Sequence, residues 1–231
     1  MAMLNVPVVA RYCITWAIMA AIALGAVLFS DKLALHAAIN MHHGAGADLV
    51  LGWITHLADG LVPTAIALVL LLFGTRRSFL MIALSCGLSA IMVQVLKRWV
   101  FDDIDRPSKF REALGDMHWV DGVDLNAFYS FPSGHATAAF SMCLALAVIH
   151  DRRWAAVPLA LFAGLLAFSR VYLSQHFTED VLAGSALGCI TAALVHHWLY
   201  VSRFSQRSWL HQRGLLRQNQ NRAPIAPSRS K

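Results

Sequence analysis

Long apolar segments are the feature that most restricts how this chain can fold. A helix needs about 20 mostly apolar residues to cross a hydrocarbon core of roughly 30 Å. The segments that approach this pattern are residues 8–30, 61–73, 78–96, 135–149, 154–172 and 181–200. Because backbone groups cannot stay unpaired in lipid, each segment is expected to be helical. The sequence therefore predicts an all-α polytopic membrane protein built as a bundle of six transmembrane helices.

The overall composition excludes several other classes of protein. Hydrophobic residues make up 58% of the 231 residues and charged residues only 14%, whereas a soluble domain carries about 25% charged residues. Intrinsic disorder, a collagen-like repeat and a disulfide-rich secreted scaffold are excluded by the same values. The four cysteines lie inside apolar segments without CxxC spacing, which is typical of buried apolar side chains and indicates no metal site.

The chain is predicted to hold one membrane domain, residues 1–200, followed by a basic tail, residues 201–231, that is partly disordered. The first span is interpreted as a retained helix rather than a signal peptide, since no small-residue cleavage site follows its long apolar core. Residues 31–60 are only semi-apolar and are interrupted by the Gly44-Ala45-Gly46 break, which favours short helices at the membrane interface. The histidines of this region that are interpreted as facing lipid headgroups are His42, His43 and His56.

The distribution of Lys and Arg predicts the orientation of the chain in the membrane. The tail, the pair Arg76-Arg77 and the pair Arg152-Arg153 hold eleven of the nineteen basic residues, so these places are expected to be cytoplasmic. With six spans, both termini are then inside and the polar segment 97–130 faces outward. The net charge of +6 fits contact with anionic lipid headgroups and needs no nucleic-acid partner. We expect an integral protein of a bacterial inner membrane.

Three polar segments, residues 97–107, 130–135 and 169–180, reach this outer face where the spans end. Their cations are Lys97 or Arg98, Arg106 and Arg170. Arginine forks match the oxygens of a phosphate, and ionisable residues at the edge of a membrane bundle mark functional sites. Ser133 and Gly134 follow a proline at a helix start, where free N–H groups and the helix dipole attract an anion. Together these features predict a phosphate-binding site.

Two histidines in the same segments supply reactive groups. His176 and Asp180 are four residues apart, so the carboxylate can accept a hydrogen bond from one imidazole nitrogen and leave the other free as a nucleophile. His135, which begins another span, can protonate a leaving oxygen. The pattern therefore indicates an enzyme that attacks phosphorus with a histidine.

Two complete motifs in these segments carry a resemblance to a known family. Residues 132–135 read PSGH, and residues 169–180 fit the pattern SRxxxxxHxxxD. With the Lys…Arg-Pro element, the region from about 60 to 200 resembles the type 2 phosphatidic acid phosphatase (PAP2) superfamily in its six-span membrane branch. The resemblance implies a helical fold of the PAP2 or vanadium-haloperoxidase-like type. It also implies a metal-independent phosphatase without a cofactor that works through a phosphohistidine intermediate.

The resemblance further implies a role for each candidate residue. His176 would be the nucleophile, Asp180 its partner and His135 the general acid. The residues implied to bind the phosphoryl oxygens are Lys97, Arg106, Ser133, Gly134 and Arg170.

The spacing of the first element departs from the family pattern. Eight residues separate Lys97 from Arg106, where the family has six. On an uninterrupted helix the two side chains would face roughly opposite ways, at about 100° per residue. Either two extra residues loop out around 102–105, or Arg98 takes the place of the lysine.

The expected substrate is a lipid phosphate, because a site at helix ends meets headgroups while the lipid chain stays in the bilayer. Phosphatidic acid, phosphatidylglycerophosphate, a polyprenyl diphosphate and a lipid A phosphate all satisfy this expectation. A phosphotransferase that passes the phosphoryl group to a second lipid is an open alternative, and a lipid transporter or flippase is another. A divalent-metal prenyl enzyme would need the carboxylates of residues 102–105. The sequence does not indicate an oligomeric state.

Overall fold

The computed structural model describes residues 6–216, and its regular elements are helices. In chain order they are α1 (Val6–Phe29), α2 (Lys32–Asn40), α3 (Ala45–Ile54), α4 (Leu61–Phe73), α5 (Arg76–Trp99), α6 (Arg111–Leu114), α7 (Gly134–His150), α8 (Arg153–Tyr172) and α9 (Thr178–His196). Short 3₁₀ turns occur at Thr55–Ala58, Pro107–Phe110, Arg203–Gln206 and Ser208–His211, and a π turn at His197–Val201. No β-strand is present within residues 6–216, so the predicted all-α class is confirmed.

Helix α7 forms the centre of the bundle and packs against α1, α5, α8 and α9. Eleven of its 17 residues are buried, four of them alanines, so its neighbours can approach closely. A Cβ atom added at Gly184 of α9 would collide with the backbone oxygen of Ser133, and one added at Gly188 would collide with that of Thr137. The GxxxG spacing therefore serves a close helix contact, as small residues do in membrane bundles.

The described helices include four or five candidate membrane crossings. Four helices, α1, α5, α8 and α9 with its π turn, are long and apolar enough to cross a membrane. A fifth crossing exists if α3 and α4, which meet at a bend of 48°, form one broken span. Helix α7 is apolar but has only 17 residues. The count of six spans stays a prediction.

The candidate residues gather at one end of the bundle, and the described part of the basic tail, residues 201–216, lies at the other. At the tail end, Arg77 donates to the backbone oxygen of Ser205 at 2.6 Å, and the N–H of Gly214 donates to the oxygen of Gly74 at 2.8 Å. The first part of the tail is therefore held against the turn between α4 and α5. The disorder expected for its last part concerns residues 217–231, which lie outside the described residues.

Candidate active site

Hydrogen bonds between distant segments assemble the site from the three predicted regions. The N–H of Ser133, before α7, donates to the backbone oxygen of Asp180 in α9 at 2.9 Å. Arg106, in the loop after α5, donates to the backbone oxygen of Gln175 at 3.2 Å. A fourth region joins them, because Arg170 of α8 donates to the hydroxyl of Thr55 in the turn that follows α3 at 2.9 Å.

His176 and Asp180 form a buried pair at the start of α9. Since α9 begins at residue 178, His176 precedes the helix and Asp180 lies in its first turn. The Nδ1 atom of His176 is 3.3 Å from Oδ2 of Asp180. The same oxygen accepts hydrogen bonds from the N–H of Phe177 at 2.9 Å and the hydroxyl of Ser130 at 2.5 Å. These donors fix the carboxylate, and the Nδ1 contact leaves Nε2 of His176 free to react.

The surroundings of His176 favour its neutral, nucleophilic form. Burial lowers the pKa of His176 well below its ordinary value, and the nearby charges of Arg106, Lys97 and Arg170 lower it further. A neutral imidazole keeps the lone pair that attack on phosphorus requires. The surroundings of His176 therefore suit a nucleophilic role at neutral pH.

Three cations surround this imidazole, and each is held by neutral groups. Lys97, Arg106 and Arg170 are only 8–9% exposed. Lys97 donates to the backbone oxygen of Tyr129 at 2.7 Å, and Arg106 donates through Nε to that of Phe128 at 2.9 Å. Within residues 6–216, none of the three forms an ion pair with a carboxylate. Buried charges are normally paired, so this arrangement is suited to a multiply charged anion.

The structure also shows how Lys97 and Arg106 come together despite their long spacing. Helix α5 ends at Trp99, and the backbone from 100 to 106 is not helical. Lys97 is buried beside the site, whereas Arg98 points to the exposed side of α5. The sequence allowed either a loop around residues 102–105 or Arg98 in place of Lys97. In the structure the chain loops out after α5. In the described residues, His, Cys, Asp and Glu side chains form no group of three arranged to hold a metal ion.

The start of α7 provides the predicted helix terminus. Ser133 is its N-cap, and the hydroxyl of Ser133 accepts from the N–H of Ala136 at 3.4 Å. An added Cβ atom at Gly134 would meet only Val93, at an ordinary contact distance of 3.7 Å. Protein packing therefore does not demand glycine at this position, and the space beside its backbone is open to a ligand.

A carboxylate that the motifs do not contain contacts His135. The Nε2 atom of His135 is 2.6 Å from Oδ1 of Asp59, and the Nδ1 atom of His56 is 2.8 Å from Oδ2 of the same carboxylate. The sequence predicts that His56 faces headgroups without a carboxylate partner. In the structure, His56 contacts Asp59, which follows three residues later in the chain. The three-residue spacing of His56 and Asp59 is a signal for their own contact. Nothing in the sequence connects them to His135.

A pocket of about 640 Å³ opens onto these residues. It lies between α3, the loop of residues 120–126 and the ends of α7 and α8, and His135 and Arg170 form part of its wall. On its rim, Asp48 accepts a hydrogen bond from the hydroxyl of Tyr172 at 2.5 Å. A separate apolar groove of about 400 Å³ lies between α1, α8 and α9 and includes Thr178 in its wall. A pocket with charged residues in its wall and an apolar groove thus both lie beside the segments that carry the candidate residues.

Comparison with known proteins gives a consistent result. A family model described as the PAP2 superfamily matches residues 78–204. A lipid A 4′-phosphatase of Bacteroides thetaiotaomicron is 28% identical over 83 residues, which are 36% of this chain and 37% of the relative. YbjG of Escherichia coli, provisionally named an undecaprenyl-diphosphatase, is 33% identical over 141 residues, 58% of this chain and 66% of the relative. The chain thus spans less than two thirds of the length of both relatives.

The fold has a counterpart among solved structures. The crystal structure of Aquifex aeolicus LpxE matches with a TM-score of 0.62 and 25% sequence identity. The match covers 72% of this chain and 95% of that chain.

Proposed function

Because the chain belongs to the PAP2 superfamily and is an integral membrane protein, we propose that it is a metal-independent lipid phosphate phosphatase acting through a phosphohistidine on His176. The observation that supports this most strongly is the buried pair of His176 and Asp180 beside three cations without carboxylate partners. The pair orients a nucleophile, and the cations provide the charge that a phosphoryl group needs.

The first chemical step transfers the phosphoryl group to the protein. The lone pair on Nε2 of His176 attacks phosphorus, an N–P bond forms, and the bond from phosphorus to the leaving oxygen breaks. The electron pair of that bond stays on the leaving oxygen, which takes a proton from His135. Asp180 stabilises the positive charge that develops on the attacking imidazole. The products of this step are the phosphohistidine and a lipid alcohol, or a lipid monophosphate when the substrate is a diphosphate.

The second step returns the enzyme to its starting state. His135, now neutral, removes a proton from a water molecule, whose oxygen attacks phosphorus. The N–P bond breaks, its electron pair returns to Nε2 of His176, and inorganic phosphate leaves. Lys97, Arg106 and Arg170 would bind the phosphoryl oxygens in both steps, together with the free N–H groups at the start of α7.

A lipid is the substrate that fits the position of the site. The reactive residues lie at the ends of apolar helices, where a phosphate headgroup can enter while its hydrocarbon chain remains beside the bundle. The apolar groove between α1, α8 and α9 offers such a chain a surface next to the start of α9. The names of the relatives include a lipid A phosphatase and an undecaprenyl-diphosphatase. The excess of Lys and Arg at the opposite end favours an active site on the outer leaflet.

The direct test measures phosphate release from defined lipids. Purified full-length protein in detergent with EDTA would be given phosphatidic acid, phosphatidylglycerophosphate, undecaprenyl diphosphate and lipid A. We expect release from at least one lipid by the wild type and none by His176→Ala. His150→Ala is the matched control, because His150 ends α7 at the opposite side of the bundle.

A trapping experiment distinguishes the proposed intermediate from direct attack by water. With ³²P-labelled substrate and an alkaline quench, label should remain on the wild-type protein and be released by acid, as expected for a phosphohistidine. His176→Ala should carry no label. A wild-type protein that is folded but releases no phosphate from any of the four lipids would contradict the proposal.

A further inference from the structure

The carboxylate of Asp59 lies outside the three motif segments and yet touches a predicted catalytic group. Asp59 occupies the short connection between the turn Thr55–Ala58 and α4, where the chain bends. Its backbone is fixed on both sides, since its N–H donates to the oxygen of His56 at 3.1 Å and its oxygen accepts from Val62 at 3.0 Å. The side chain therefore projects from a defined position toward α7.

We propose that Asp59 is a positioning residue that orients His135 as the general acid, an inference that rests on the proposed phosphatase function. The contact of 2.6 Å between Oδ1 of Asp59 and Nε2 of His135 fixes which ring nitrogen faces the carboxylate. The Nδ1 atom is then the one that can give its proton to the leaving oxygen. Asp180 contacts the opposite ring nitrogen of His176, Nδ1, so that Nε2 of His176 is free. Each catalytic histidine thus has its own carboxylate.

The charges around His135 explain why it requires such a partner. Burial opposes a positive charge on the ring of His135, and the charges of Arg170 from α8 and Arg106 from the loop after α5 oppose it further. His176 from the turn before α9 also lies within electrostatic reach. A general acid must carry its proton until the leaving oxygen takes it. The carboxylate of Asp59 supplies the negative charge that stabilises this protonated ring.

The second oxygen of the carboxylate has its own partner. Oδ2 of Asp59 accepts from Nδ1 of His56, whose side chain is 67% exposed. With both oxygens engaged, the carboxylate has little freedom to rotate away from His135. The arrangement resembles the carboxylate–histidine pairs of metal sites, in which removal of the outer carboxylate costs about 10–100-fold in metal affinity or activity.

The test compares substrates with different leaving groups, because loss of a purely structural residue would slow the reaction of both substrates equally. An alkyl phosphate needs a proton on its leaving oxygen, whereas a p-nitrophenyl phosphate ester releases a stable phenolate without one. For Asp59→Asn we expect the first-turnover rate with the alkyl substrate to fall about 10–100-fold with little change in KM. With the aryl ester, the burst of p-nitrophenol should stay close to the wild-type value. Asp103→Asn, an exposed carboxylate in the loop after α5, is the matched control.

A double-mutant cycle checks that Asp59 acts through His135. In a His135→Ala background, Asp59→Asn should cause no further loss with the alkyl substrate, because the group it orients is gone. If the amide variant does not fold, Asp59→Ser removes the same charge and permits the same comparison. Equal losses with alkyl and aryl substrates, or additive losses in the cycle, would overturn the inference. A wild type without activity on any substrate would instead count against the proposed phosphatase function.

Discussion

The contact between α7 and α9 leads to a quantitative prediction, because these helices carry His135 and Asp180. A Cβ atom added at Gly188 would collide with the backbone oxygen of Thr137 and would lie 3.0 Å from the nitrogen of Ser141. Both obstacles are backbone atoms, so a side-chain rotation cannot relieve them and the helices must separate. Such overpacking costs about 1–3 kcal/mol. Alanine is also up to about 1 kcal/mol more favourable than glycine in a helix. The control variant must therefore replace a helical glycine by alanine as well.

Gly87→Ala provides that control. Gly87 lies in the middle of α5, and an added Cβ atom there would meet no atom within 4 Å. We therefore expect Gly188→Ala to be about 1–3 kcal/mol less stable than Gly87→Ala. At about 2–4 °C per kcal/mol, the midpoint of thermal unfolding in detergent should be lower by several degrees. Phosphate release should fall as well, since the two halves of the site move apart. Equal midpoints for the two variants would refute the packing argument.

Three further predictions follow from individual side chains. Lys97→Met should lower phosphate release about 100-fold, and the adjacent Arg98→Met should change it by no more than about twofold. Asp180→Asn should slow phosphohistidine formation about 10³–10⁴-fold while lipid binding is retained, as measured by the rate of ³²P labelling and by KM. Burial lowers the pKa of His36 to about 4, so below its ordinary value near 6.5 the unfolded chain binds a proton that the folded chain does not. Stability present at pH 7 should therefore fall by about 2 kcal/mol at pH 5, and His36→Gln should remove that part of the loss in thermal unfolding at the two pH values.

The parts of the site that could be predicted from sequence are those whose residues stand close together in the chain. His176 and Asp180 are only four residues apart, so their spacing alone predicts the pair that the structure contains, although His176 precedes α9. Lys97 and Arg106 could not be decided in this way. Their relation depends on where α5 ends, and an apolar segment followed by polar residues does not fix that end within a turn.

Two other features depend on the tertiary structure. Asp59 and His135 are 76 residues apart, and they meet only because the chain bends between α3 and α4. No local pattern predicts that contact. Helix α7 is apolar on all sides because other helices surround it. Hydropathy and length do not decide whether this central helix of 17 residues crosses the membrane, so the count of six remains a prediction.

The way the site holds its cations connects the fold to its chemistry. Lys97 and Arg170 lie in the last turns of α5 and α8, where the exposed carbonyl ends of a helix favour positive charge. Backbone oxygens and one hydroxyl complete their contacts, and backbone oxygens with the Gln175 side chain hold Arg106. A carboxylate in any of these places would fix the cation equally well but would cancel its charge. Because neutral groups hold the cations, their positive charge remains available to the phosphoryl group of the proposed substrate. The two carboxylates that do enter the site, Asp59 and Asp180, contact the histidines, where negative charge would assist the proton transfer and nucleophilic attack of the proposed mechanism.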